Sequence, residues 1–137
     1  MFISKFSTED WQENRNQLVL KSAQNWLEIE VAIRSLDGNR QTLVTLETED
    51  EAHLAIGGGK GRYVVYLTFD NEIFHYVVDP LKLGMDEKLV VGGQEGIYPT
   101  KLCVGLDMAL RAAKTFAEFG IMEKSVVWEQ DKILELV

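Results

Sequence analysis

Apolar and polar residues change their period along this chain, and each period predicts an element. Trp26, Ile29, Ile33 and Leu36 recur on one helical stripe, with Glu28, Glu30 and Arg34 on the other side. Ser22 reads as the N-cap of that helix and Asp37-Gly38 as its stop. A second stripe, Leu106, Ala109, Leu110, Ala113, Phe116 and Ala117, predicts another helix that Gly120 closes. Asp107 with Arg111 and Lys114 with Glu118 place opposite charges one turn apart on its wet side.

Between the helices the period falls to two. Residues 42–47 alternate, and Glu47, Glu49, Asp50 and Glu51 follow as an acidic turn. His53 to Ile56 reads as a short strand, residues 57–61 as a glycine connection, and Arg62 to Phe69 as a long strand rich in β-branched and aromatic residues. Asp70-Asn71-Glu72 turns the chain into a strand over Ile73 to Asp79. Leu89 to Val91, Lys101 to Val104 and Val126 to Trp128 are further strand candidates, and Leu18 to Leu20 a short one. Residues 1–16 mix aromatic and polar side chains without a clear period.

Loops this short join antiparallel strands, because a parallel crossover needs about a dozen residues. The expectation is therefore an α+β fold: one antiparallel sheet of about five to seven strands, with two main helices packed on one face. No linker or repeat divides the chain, so residues 1–137 are expected to form a single domain.

Composition changes the picture in one respect. The apolar share of 46% and charged share of 26% are those of an ordinary globular protein, but 14 Lys and Arg against 22 Asp and Glu leave a net charge of −8. Such a surface repels phosphate backbones and acidic head groups, so neither direct nucleic-acid binding nor membrane binding is expected. A basic partner fits it better. The lone Cys103 excludes an internal disulfide and, between Leu102 and Val104, reads as a buried thiol. With no secretory h-region in the first residues and no long apolar run, a cytoplasmic protein is expected.

Catalytic patterns are hard to find. Gly57-Gly58-Gly59-Lys60-Gly61-Arg62 fits neither phosphate-binding glycine motif, since Arg62 opens a strand where each motif needs another residue and a helix. His53 and His75 lie 22 residues apart in strands, with no metal-ligand spacing around them, so no metal and no cofactor is expected. The segment Gly92-Gly93-Gln94 with Glu95 and Pro99 reads equally as a tight connection or as a recognition loop on a rigid scaffold.

One ordered set of short segments is familiar. Ala32-Ile33-Arg34-Ser35-Leu36 comes first, then Leu54-Ala55-Ile56-Gly57-Gly58-Gly59 and Tyr63-Val64-Val65. Val91-Gly92-Gly93-Gln94 with Pro99, Ala109-Leu110-Arg111-Ala112-Ala113 and Val127-Trp128-Glu129 follow. From about Ser22 to Glu129 the chain resembles the bacterial polymorphic-toxin immunity family often called Imm-one. The resemblance implies a non-enzymatic α+β protein that binds and neutralises a cognate secreted toxin, often a nucleic-acid deaminase, inside the producing cell.

No contact motif comes with the resemblance. The expected contacts follow from charge: Glu47, Glu49, Asp50 and Glu51, with Asp86, Glu87 and Glu95 around the glycine loops. A monomer or weak homodimer that covers the toxin's active site or substrate groove is the expectation. Two other readings stand beside it: a small-ligand or enzymatic domain using Gly57 to Arg62 with His75, and a self-associating scaffold.

Overall fold

The computed structural model describes residues 1–130. The apolar tail residues Ile133, Leu134, Leu136 and Val137 lie outside the described residues.

Strands β1 (Lys5–Gln12) and β2 (Arg15–Ser22) open the chain, followed by helix α1 (Trp26–Arg34). Four strands come next: β3 (Leu43–Glu47), β4 (His53–Gly59), β5 (Arg62–Thr68) and β6 (Phe74–Val78). A small hairpin, β7 (Glu87–Val91) and β8 (Gln94–Tyr98), precedes a 3-10 turn at Thr100–Leu102. Helix α2 (Leu106–Phe119) and strand β9 (Val127–Gln130) complete the described chain. Seven strands form one antiparallel sheet in the order β2-β1-β3-β4-β5-β6-β9, and β7 with β8 form a second sheet.

The α+β class and the antiparallel sheet are as the alternation predicts. Direct cross-strand partners share a face, so the registers define two rungs. Phe6, Leu46, Leu54 and Leu67 are successive partners, as are Val44, Ile56 and Val65. All seven are at most 1% exposed and pack in one core with Ile29 and Ile33 of α1 and Phe116 of α2. Burying each large side chain contributes roughly 1.5–3 kcal/mol. Around Phe116, α2 presents Ala109, Ala112, Ala113 and Ala117, all fully buried, whose small side chains let the helix lie close to the sheet.

Four expectations change. Residues 1–16 hold β1 and the start of β2, hidden from periodicity because β1 buries Ser7 and Glu9 on its second face. Ser22 ends β2 opposite Lys5, and Asn25 caps α1 instead, its side-chain oxygen accepting from Glu28 N at 3.1 Å. The glycine connection is strand: Gly57, Gly58 and Gly59 pair with Val64, Tyr63 and Arg62, and only Lys60-Gly61 turns. Both turn residues have positive φ, 56° and 88°, the geometry of a tight hairpin turn. Lys101 to Val104 is no strand; it is the 3-10 turn followed by a single bridge from Val104 to Tyr63.

Candidate interaction surface

The sheet's second face carries Ser7, Thr45, Ala55, Tyr66 and Tyr76 in one line of partners. Hairpin β7–β8 lies across one end of this face as a strap. Leu89 packs with Val64 and Cys103, and partly buried Val91, Tyr76 and Tyr98 join them. Gly57 lets the strap settle, since a Cβ there would collide with the Val91 side chain. At the strap's tip a Cβ on Gly93 would strike the Trp11 ring. Glycine is required there twice over, because the Gly92-Gly93 turn also holds positive φ of 63° and 80°.

Polar bonds fix the strap at both ends. At the tip, Thr42 Oγ1 accepts from Gly93 N at 2.9 Å and donates to Glu9 Oε1 at 3.5 Å. Trp11 Nε1 donates to the other Glu9 oxygen. Burial pushes the Glu9 carboxyl above its ordinary range, against those two hydrogen bonds. At the base, Arg62 Nη1 meets Glu87 Oε1 at 2.8 Å and Thr100 Oγ1 donates to Glu87 Oε2. The Thr100 bond, with Arg62 next, holds the Glu87 carboxyl below its ordinary range.

Beyond the strap the face is half-covered and aromatic. His53, Tyr66 and Phe74 meet edge to face with ring centres 5.9–6.4 Å apart, and Tyr66 lies 5.7 Å from Tyr76. Burial, then the nearby Tyr98, raises the Tyr66 hydroxyl's pKa. Amphipathic rings on a half-open face are the material of interface anchors.

The acidic residues picked from the sequence fall into two groups. Glu47 ends β3 opposite His53 and Lys5, and Glu49, Asp50 and Glu51 stand exposed in the next turn, which Thr48 folds by bonding Ala52 O at 2.8 Å and Asp50 N at 3.2 Å. At the sheet's other end Glu95 is exposed on the strap and Asp86 just before it, while Glu87 turns inward to Arg62 and Thr100. The seven residues of β4 separate the two ends by roughly 20 Å.

Sequence reasoning missed the most exposed apolar group. Leu81, Leu83 and Met85, in the loop between β6 and β7, are 89%, 92% and 88% exposed, and Ile97 on β8 is 67% exposed. Their spacing of two is also that of a half-buried strand, so the sequence carries no signal that separates these outcomes.

Cys103 is fully buried and its thiol is pushed up to about 11, by burial first and then the Glu87 carboxylate, so it stays protonated at neutral pH. Among the described residues no group of three His, Cys, Asp or Glu is placed to hold a metal ion. His75 pairs with Leu67 beside Phe69, away from the Lys60-Gly61 turn, so the glycine segment and this histidine do not make a site. No helix among the described residues is long and apolar enough to cross a membrane.

The family model for Immunity protein Imm1 matches residues 22–130, from the last residue of β2 to the end of β9. This chain belongs to the Imm1 immunity protein family. Membership implies neutralisation of a cognate toxin by binding. No curated protein matches the chain. The family match begins after most of the β1–β2 hairpin, although β1 supplies Phe6 to the core and Trp11 and Glu9 to the strap's seat.

Proposed function

We propose that this chain neutralises a nucleic-acid-acting toxin, of the deaminase type, in the cytoplasm of the cell that makes both, by covering the toxin's substrate groove. One observation carries the reading: the Imm1 match over residues 22–130. Charge supports the choice of target. A groove that holds nucleic acid is basic, and a partner of net charge −8 is drawn to it. Glu47, Glu49, Asp50 and Glu51 at one end of the half-open face, with Asp86 and Glu95 at the other, steer the approach. Glu87, tied to Arg62 and Thr100, orders the strap and adds little to steering.

A monomer is the acting form, because two copies of an anionic chain repel each other. The test is co-expression with the toxin domain encoded in the adjacent reading frame. Cells survive with the chain and die without it, and the purified chain stops that domain from deaminating single-stranded DNA. Death in the presence of the chain would overturn neutralisation; survival with no deaminase activity in the toxin would overturn only the choice of target.

A further inference from the structure

Leu81, Leu83 and Met85 are so exposed that almost nothing of their own protein touches them. Single exposed apolar residues are ordinary on any surface, but three within five residues, at about nine tenths exposure, are not. The loop that carries them is held from inside. Leu81 N donates to Asp79 Oδ1 at 3.1 Å, Lys82 N to Asp79 O at 3.1 Å, and Asp79 N to Lys101 O at 2.8 Å. Lys82 sends its ammonium inward to the Cys103 carbonyl. The usual arrangement is inverted here: the lysine is folded in and its apolar neighbours are held out.

Ile97 is a further exposed apolar residue. It faces away from the sheet on β8, beside its partner Lys88, which lies three residues past Met85. Exposed Asp86 directly follows Met85 and exposed Glu95 lies two residues before Ile97, with Lys88 as an exposed cation. Those carboxylates, on a chain of net charge −8, disfavour an acidic lipid surface and equally a second copy of the chain. A basic protein partner fits.

We propose that the loop over residues 79–86 is the anchor of the toxin interface, inserting Leu81, Leu83 and Met85 into an apolar pocket edged by basic side chains on the toxin domain. The proposal rests on the neutralisation reading and adds the surface and the chemistry of its counterpart. Acidic residues then govern how fast the two proteins meet, and the loop governs how long they stay together.

The probe is the purified toxin domain encoded in the adjacent reading frame, titrated into the full chain by calorimetry. The triple variant Leu81→Ser, Leu83→Ser, Met85→Ser is expected to keep the wild-type Tm and to weaken Kd by at least about 30-fold, as loss of buried anchors does. Leu83→Ser alone, at the most exposed position, is expected to weaken Kd by about tenfold and serves if the triple variant folds poorly. Wild-type affinity in either well-folded variant overturns the proposal. So does wild-type binding to phosphatidylserine vesicles, or a wild-type dimer in sedimentation, if the triple variant abolishes it. A wild-type chain that fails to bind the toxin domain is a different result, and overturns the neutralisation reading itself.

Discussion

The two faces of the large sheet are built on opposite terms. The helix-covered face is sealed: Leu46, Leu54, Leu67, Ile29, Ile33 and Phe116 are fully buried and pack in one apolar cluster. The strapped face is closed only at one end, and its closure uses glycines, a buried carboxylate and a threonine. Beyond the strap it leaves His53, Tyr66, Phe74 and Tyr76 only partly covered. Burial is thus deepest on one side, while the other carries half-covered rings and exposed charges.

The sharpest way to break this contrast is to hollow the sealed face. Phe116→Ala removes the one large side chain that α2 buries and is expected to cost about 3–5 kcal/mol, read from the denaturant midpoint. On the strapped face, Gly57→Ala pushes a methyl into Val91 and is expected to cost about 1–3 kcal/mol. In that variant, hydrogen exchange should quicken over residues 87–98 and not over α2. Equal quickening in both places would show that the two faces are one cooperative unit.

Next in size is a pH effect at the strap's tip. The folded-state pKa of Glu9 is raised above its ordinary 4.5, so the folded chain holds that proton more tightly than the unfolded chain does. The stability this provides is complete below pH 4.5 and is lost as pH rises through the folded value. Glu9→Gln should flatten that part of the stability–pH curve, and an unchanged curve would place the titration elsewhere.

The smallest effect on stability is expected at the acidic turn. Replacing Glu49, Asp50 and Glu51 with Ser should shift stability by no more than about 0.5 kcal/mol, because all three are exposed. The same change should slow association with the toxin domain by about tenfold at low salt and flatten the salt dependence. Stopped-flow mixing at several ionic strengths reads both.

The same contrast explains what the sequence made legible. The sealed face imprints its period on the chain, so both helical stripes and the alternation of β3 are plain, and β5 shows in its β-branched and aromatic residues. The strapped face does not. Ser7 and Glu9 are polar yet buried, which hides β1, and Gly57 is strand although glycine signals a break. β8 holds Glu95 and Gly96 where alternation would show, so half of the strap passes for loop. The acidic residues were visible as charges, but their division between two ends of the sheet depends on register and strand length, which no local pattern encodes. Leu81, Leu83 and Met85 were visible as residues, and their exposure was not.

The most direct test of the central claim is hydrogen exchange on the full chain, free and bound to the toxin domain from the adjacent reading frame. Amide protection should rise over residues 47–53 and 79–98 and stay unchanged over α1, whose outer side chains Leu27 and Val31 are also exposed. Protection confined to α1, or no added protection anywhere on the strapped face, would contradict the account.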